Sequence, residues 1–208
     1  MGEIRINCVK VGMLATNCYL VYDEDEKRAV VCDPGDNAEF IADCVEKLGL
    51  EAEAIFLTHA HMDHIQAVDE LKEKYAVPVY VHEADEPMLK STSYNMGCKV
   101  ITLTDEDVRL KGGEVLNIGK MEIHVIHTPG HTPGGVCYYF PAGGFLLSGD
   151  TMFRYSWGRT DFPGGSERDL MKSIREKLLP LPEETIVYPG HEGATKIGDE
   201  RRVHRYEA

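Results

Sequence analysis

Three histidines and one aspartate lie within six residues in the stretch His59-Ala60-His61-Met62-Asp63-His64, directly after the apolar run 54–57. Imidazole and carboxylate groups are the ligands expected for zinc or a similar first-row divalent ion. His59 and His61 can point the same way if the backbone between them stays extended. Asp63 and His64 can serve a second centre once the chain begins to coil. The stretch therefore predicts a metal site in a tight turn at the end of a strand.

Three further polar residues occur in a similar setting later in the chain. His131 lies in the glycine- and proline-rich stretch 128–135, Asp150 ends the run 146–150, and His191 follows Tyr188-Pro189-Gly190. Each comes just past an apolar, strand-like run and beside glycine. This pattern is typical of ligands on loops at one end of a rigid scaffold.

The combined set resembles the complete ligand set of the metallo-β-lactamase superfamily, in its glyoxalase II branch: His59, His61, Asp63, His64, His131, Asp150 and His191. The resemblance extends from the strand 17–21 and the turn 33–35 to residues 189–191. It implies that His59, His61 and His131 bind one metal, that Asp63, His64 and His191 bind a second, and that Asp150 bridges the two.

The same resemblance implies an α/β fold, a four-layer αβ/βα sandwich of two mixed β-sheets flanked by helices, with the metals in a cleft at one edge. It also places Asp33 beside the ligands, as a residue that supports them. A simple turn explains Asp33-Pro34-Gly35 equally well, because proline and glycine alone justify one.

Composition limits the remaining possibilities. A chain of 208 residues is long enough for one substantial core, so we expect a single domain over residues 1–208. The net charge of -13 argues against nucleic acid as a partner. No run reaches the length of a membrane span and no secretory signal is visible, so we expect no membrane partner. Six scattered cysteines predict mainly buried free thiols and a cytoplasmic location, and the oligomeric state stays open.

Hydrophobic periodicity predicts the elements. Strands are expected at 4–11, 17–22, 28–32, 53–58, 78–81, 107–111, 114–118, 121–126, 136–140, 145–148 and 185–188. Helices are expected after Asp36 as the N-cap, after His64, and after Ser166 as the N-cap. Residues 83–99 are ambiguous, with Met88, Tyr94 and Met96 amid polar residues. We favour a role in the core over a role at the substrate mouth.

The resemblance implies two divalent ions as cofactors, zinc in the first place, with iron or manganese as alternatives. A hydroxide held by these ions would attack a carbonyl, with Asp63 as the catalytic residue that orients it. A thiol leaves easily as thiolate, so a small-molecule thioester suits this centre. The glyoxalase II resemblance implies a 2-hydroxyacyl-glutathione such as S-lactoylglutathione, with Arg159 as a cationic substrate contact. Because the chain ends soon after His191, it resembles the short bacterial members that lack the C-terminal helical domain.

Two other functions remain open. One is a persulfide dioxygenase with a single iron, since residues 158–162 resemble that group as well. The complete second set, with Asp63, His64 and His191, favours a dinuclear hydrolase instead. The other is a non-catalytic metal-binding domain on the same fold, because fold alone does not fix function.

Overall fold

In the computed structural model, residues 3–97 and 99–204 are described, His204 by its backbone only. The first sheet has six strands in the order in which they occur in the chain: β1 (Ile4–Val11), β2 (Thr16–Asp23), β3 (Arg28–Cys32), β4 (Glu51–Phe56), β5 (Val79–His82) and β6 (Val108–Leu110). Strands β1 to β3 pair antiparallel, and β3 to β6 pair parallel. The sheet is therefore mixed.

The second sheet also has six strands, in the order β14-β13-β10-β9-β8-β7: β7 (Val115–Ile118), β8 (Met121–His127), β9 (Val136–Phe140), β10 (Phe145–Gly149), β13 (Ile186–Pro189) and β14 (Thr195–Lys196). Only β10 and β13 pair in parallel, and the other pairs are antiparallel. A short hairpin joins β10 to the next helix and consists of β11 (Met152–Phe153) and β12 (Ser156–Trp157).

In the described part of the chain, six α-helices connect or cover the sheets: α1 (Ala38–Lys47), α2 (Met62–Ile65), α3 (Val68–Tyr75), α4 (Glu86–Leu89), α5 (Glu167–Ser173) and α6 (Ile197–His204). A 3-10 turn, Glu83–Asp85, precedes α4, and a π-helical turn, Ile174–Leu178, extends α5. Within the described residues, none of these helices has the length and apolar character needed to cross a bilayer.

The inner core lies between the two sheets. Alternate residues of β3 and β4, among them Val30 and Phe56, meet Tyr138, Phe140 and Leu147 of the second sheet, and all are buried. The rings of Phe56 and Tyr138 lie 4.7 Å apart between centroids. Burial of each such side chain stabilises the fold by roughly 1.5–3 kcal/mol. This layer positions the ends of both sheets against each other.

The outer faces of the sheets are covered by helices. On the first sheet, α1 and α3 bury Ile41, Val45 and Leu71. On the second, α5, the π-helical turn and α6 bury their apolar faces, with Leu170 and Ile197 among them. The order of layers is thus helix, sheet, sheet, helix, which confirms the predicted four-layer sandwich of two mixed sheets.

Several local predictions require correction. Asn37, not Asp36, caps α1: its side chain accepts a hydrogen bond from the Phe40 amide at 3.4 Å. Cys18, Cys32 and Cys137 are buried as predicted, but Cys44 is half-buried and Cys8 is exposed on the edge strand β1. Cys98 lies outside the described residues. In the 83–99 segment Met88 is buried and Tyr94 packs on the core, whereas Met96 is exposed. No pattern predicted α6.

Candidate metal centre

All seven candidate ligands lie where strands end at one edge of the sandwich. The turn after β4 carries His59 and His61, and α2 begins at once with Asp63 and His64 inside it. The β8–β9 loop carries His131, Asp150 follows β10, and His191 follows β13. Two sheets therefore contribute to one cluster of side chains.

The ligand atoms form three overlapping groups in which all atoms lie within 4.8 Å of one another: His59 with His61 and His131, Asp63 with His64 and His191, and His59 with His64 and Asp150. Asp150 lies between the first two groups. Its Oδ2 is 3.6 Å from Nε2 of both His131 and His191, and its Oδ1 is 3.6 Å from Nε2 of His64. This geometry suits a carboxylate shared by two cations.

A chain of hydrogen bonds orients His59. The Thr58 hydroxyl donates to Asp33 Oδ2 at 2.6 Å, and Asp33 Oδ1 accepts the Thr58 amide at 2.7 Å. Because the hydroxyl hydrogen is used in this way, Thr58 Oγ1 accepts from His59 Nδ1 at 3.1 Å. The Nε2 lone pair of His59 is left free to face the centre. Asp33 thus lies beside the candidate ligands, and it also contacts His64 Nδ1 at 3.0 Å.

Backbone carbonyls orient two more imidazoles. His131 Nδ1 donates to the Arg159 carbonyl at 2.7 Å, and His191 Nδ1 donates to the Leu14 carbonyl at 3.2 Å. In the neutral form of each ring Nε2 then carries a lone pair that points inward. His61 approaches from the other side, with its Nδ1 2.9 Å from His131 Nε2. Nitrogen atoms this close need a proton or a cation between them.

Burial keeps the imidazoles of the first ligand group, His59, His61 and His131, neutral. It lowers the pKa of His59 far below its usual range, and the neighbouring imidazoles lower it further. Burial likewise lowers the pKa of His61 to about 3 and lowers the pKa of His131. Neutral imidazoles are the form that binds metal. This group of three therefore needs no deprotonation at neutral pH.

In the second ligand group, neighbouring carboxylates raise the pKa of the histidines. Burial alone would lower the pKa of His64, but Asp33, Asp150 and Asp63 outweigh it and raise that pKa to about 10. The hydrogen bond to Asp63 raises the pKa of His191. Burial opposes ionisation of Asp63, yet His191, His64 and the Thr16 hydroxyl hold the pKa of this carboxyl below its usual range. A cation would find the Asp63 carboxylate already ionised.

Unpartnered polar atoms point to a cation at this place. His59 Nε2, His64 Nε2 and Asp150 Oδ1 are buried and have no hydrogen-bond partner among the residues that the structure describes. Leaving a buried donor or acceptor unsatisfied costs about 1–3 kcal/mol each. Imidazole nitrogens and carboxylate oxygens that converge in this way fit divalent cations, so the residues present match the group that the sequence implied.

Asp85 is a structural residue of the site that the sequence did not reveal. It is buried, and its carboxylate accepts the Ala60 amide at 3.1 Å, the Thr132 hydroxyl at 2.8 Å and the Gly134 amide at 2.6 Å. Ala60 lies between His59 and His61, and the other two donors lie beside His131. Through these hydrogen bonds Asp85 joins the loop that carries His59 and His61 to the loop that carries His131.

The centre opens into a cleft of about 510 Å³. Arg159 lies on its rim with an exposed side chain that forms an ion pair with Asp161. The ring of Phe162 stands 5.3 Å from that of His61 and forms part of the wall. A small molecule can thus reach the candidate ligands directly from solvent.

Proteins of known sequence resemble this chain over most of its length. Residues 11–191 match the family described as the metallo-beta-lactamase superfamily. The chain is 39% identical over 191 residues to a Bacillus subtilis protein named probable metallo-hydrolase YqgX, with 90% of each chain covered. It is 34% identical over 210 residues to a Haemophilus influenzae protein named hydroxyacylglutathione hydrolase GloC, with 98% of each covered.

Solved structures share the fold closely. A crystal structure of the BLEG-1 B3 metallo-beta-lactamase superposes with a TM-score of 0.90 at 40% identity, covering 95% of this chain and 97% of that one. TTHA1623 in a di-iron-bound form superposes with a TM-score of 0.84 at 38% identity, covering 96% and 99%.

Proposed function

The chain belongs to the metallo-beta-lactamase superfamily, and we propose that it is a metal-dependent hydrolase of 2-hydroxyacyl thioesters, S-lactoylglutathione among them. One observation carries the proposal: two groups of ligand atoms flank Asp150 at the base of an open cleft. The relative named hydroxyacylglutathione hydrolase supports the choice of substrate class.

His59, His61 and His131 would hold one cation, Asp63, His64 and His191 would hold the other, and Asp150 would contact both. When bound, two divalent ions supply a Lewis acid for a carbonyl oxygen and lower the pKa of water. The nitrogen-rich set suits zinc or iron, and the carboxylates also suit manganese. The di-iron form of a related structure supports iron as an alternative.

Residues of the chain would orient the reactants. Asp63 Oδ2 accepts from Thr16 Oγ1 at 3.0 Å and lies 3.2 Å from His191 Nε2, which fixes its carboxylate at the base of the cleft. A carboxylate held there can accept a hydrogen bond from a water and aim it at the acyl carbon. Asp33 and Asp85 act from behind, by holding the loops that carry the histidines.

The reaction balances without a further reactant. Water supplies a hydroxyl group to the acyl carbon, the carbon–sulfur bond breaks, and its electron pair leaves with sulfur. The remaining proton of the water passes to solvent or to the thiolate. A thiol with a pKa of about 8.5 departs without a proton donor, whereas the amine formed from a lactam requires one. This difference favours a thioester over a β-lactam.

Reconstitution tests the proposal. Protein freed of metal and reloaded with zinc, iron(II) or manganese should bind about two ions per chain and release thiol from S-lactoylglutathione. A chromogenic cephalosporin and glutathione persulfide with an oxygen electrode serve as parallel substrates. One iron per chain with oxygen uptake would indicate the dioxygenase instead. Bound metal without turnover of any substrate would indicate a binding domain.

A further inference from the structure

The outer wall of the cleft is largely apolar. It includes Leu14, Phe153, Trp157 and Phe162, and among the lining residues in the described part of the chain Arg159 is the one lysine or arginine. Its guanidinium group is the natural contact for an anionic substrate. Whether the Arg159 guanidinium can bind an anionic substrate depends on the groups that already contact it.

Asp161 neutralises this guanidinium. Arg159 Nε donates to Asp161 Oδ1 at 2.7 Å and Nη2 donates to Oδ2 at 2.5 Å, which is the paired geometry of a fork. The Phe162 ring supports the group from below, with its centroid 4.1 Å from Arg159 Cζ. The arginine is thus held on two sides, and an incoming anion meets a neutral pair.

A further acidic group lies on the same rim. Glu192 lines the cleft, is exposed, and forms no ion pair within the described residues. Together with the Arg159–Asp161 pair it leaves the rim with an excess negative charge. The net charge of the whole chain, -13, has the same sign. Apart from the cations that the centre would hold, the charged groups at the mouth therefore offer no net attraction to a negatively charged group.

We propose that the outer cleft selects thioesters whose thiol portion carries no carboxylate, and that Asp161 sets this preference by neutralising Arg159. The inference rests on the proposed thioesterase activity. The reacting carbonyl must reach the ligand cluster, so the thiol portion extends toward the rim, where Phe162 and Arg159 adjoin the histidine loops. A glutathione thioester brings two carboxylates and one ammonium group to this place.

Matched substrates test the preference. S-lactoylglutathione and its dimethyl ester share the acyl group and the peptide but differ in the two carboxylates. Thiol release by the zinc-loaded protein gives kcat/KM for each. An exposed ion contact changes an equilibrium by about two- to fivefold. We expect the dimethyl ester to be preferred by that factor at low salt, with a smaller factor in 0.5 M salt.

Variants identify the residue that sets the preference. Asp161→Asn frees the charge of Arg159, so the preference should vanish or reverse, mainly through a lower KM for S-lactoylglutathione. In the double variant Arg159→Gln/Asp161→Asn the preference should return. Glu184→Gln is the matched control, because it breaks the exposed pair with Lys196 and removes one negative charge without lining the cleft. Its ratio should equal that of the unaltered protein.

The ratio of two kcat/KM values cancels any general loss of activity or of metal. A wild-type ratio at or below one, or an unchanged ratio in Asp161→Asn, overturns the proposal about the rim. Absence of thiol release from both substrates, and from S-lactoyl-N-acetylcysteamine, overturns the thioesterase itself. The two failures are therefore distinct.

Discussion

Gly190 shows how little room surrounds the candidate ligands. A Cβ at this position would lie 2.3 Å from Asp150 Oδ1 and 2.8 Å from His64 Cε1. Its amide donates to the Gly149 carbonyl at 2.8 Å, and its carbonyl accepts the Asn17 amide at the same distance. The backbone therefore cannot move away to admit a methyl group. The ligands themselves must shift.

We expect Gly190→Ala to weaken the affinity of the protein for metal by at least about tenfold. A loss of this size is found when a group that supports a metal ligand is removed. Zinc titration of the metal-free variant measures this. Gly193→Ala is the control, because its Cβ would meet nothing within 4 Å. Equal metal affinity in the two variants would show that Asp150 and His64 do not bind the cations.

Asp85 gives a second prediction for a single residue. Asp85→Asn keeps the shape of the side chain but turns an amide NH2 group, which is a donor, toward backbone or hydroxyl donors, so at least one of its three hydrogen bonds is lost. Hydrogen bonds to a buried charge contribute about 1.5–3 kcal/mol each, and we expect a loss of roughly 2–3 kcal/mol in unfolding free energy.

Urea unfolding of the metal-free protein measures this change, and zinc titration should show weaker binding because both histidine loops relax. Glu83→Gln, an exposed neighbour in the same turn, should differ from the unaltered protein by less than about 0.5 kcal/mol. If Asp85→Asn matched that control in both measurements, the network would have no role in holding the site.

The sequence could identify the seven candidate ligands but not the residues that orient them. The ligands stand out because histidine and aspartate repeat at short spacing or beside glycine. Asp85 and Thr58 carry no such signal. The partners of Asp85 lie 25, 47 and 49 positions away, and Thr58 depends on Asp33 at a separation of 25. Contacts between distant segments exist only once the fold is known.

Among the secondary-structure elements, the strands could be predicted from the alternation of apolar and polar residues. The residues at which helices begin depend on local hydrogen bonds. Ser166 was predicted as a cap, and its side chain accepts the Asp169 amide at 3.3 Å. Asp36 was predicted in error, because Asn37 can adopt the left-handed conformation, φ 55°, and accept the Phe40 amide itself. Helix α6 has a weak apolar face, with Ile197 as its buried contact, so periodicity did not reveal it.

Asp107 joins three elements and should make stability depend on pH. Its carboxylate accepts the Val79 amide of β5 at 2.8 Å, the Thr104 amide at 2.7 Å and the ammonium group of Lys72 on α3. Burial would raise the pKa of Asp107, but the bonds from Lys72, Thr104 and Val79 outweigh it, and the pKa lies below its usual value.

A lowered pKa in the folded state means that the unfolded chain takes up the proton first as pH falls. The stabilisation is therefore complete above the unfolded pKa of about 3.9 and is lost as pH falls through the folded pKa. Asp107→Asn should be less stable by roughly 2 kcal/mol at pH 7 and pH 5, with a smaller difference at pH 3.

Urea unfolding of the metal-free proteins at the three pH values gives this comparison. The exposed Asp105→Asn serves as the control and should stay within about 0.5 kcal/mol of the unaltered protein. A deficit for Asp107→Asn that stayed constant down to pH 3 would assign it to packing rather than to charge.

Across the whole molecule, the two sheets meet at the candidate metal centre as well as in the inner core. The Tyr19 hydroxyl on β2 donates to the Pro189 carbonyl at 2.7 Å, and the Tyr138 hydroxyl on β9 donates to the Leu57 carbonyl at 2.8 Å. His59, on the first half, shares ligand groups with His131 and Asp150 on the second. Strand periodicity alone could not give this arrangement, since it does not say which strands pair. The family resemblance gave the two layered sheets and the cleft at one edge, but not the pairing of individual strands.

Because each sheet supplies ligands to the same cluster, we expect a single cooperative unfolding transition for the chain, with bound metal raising the melting temperature of both sheets together. Free zinc at 100 times its dissociation constant stabilises by about 2.7 kcal/mol, which corresponds to roughly 5–10 °C for a chain of this size. Far-ultraviolet circular dichroism follows the sheets, and the fluorescence of Trp157, which lines the cleft, follows the site. The two melting curves should coincide with and without zinc.

Asp150→Ala should melt in one step but show little shift with zinc, since the residue between the two ligand groups is gone. Two separate transitions, or a zinc shift confined to the fluorescence, would mean that the halves fold independently, and the expectation of one domain would be wrong.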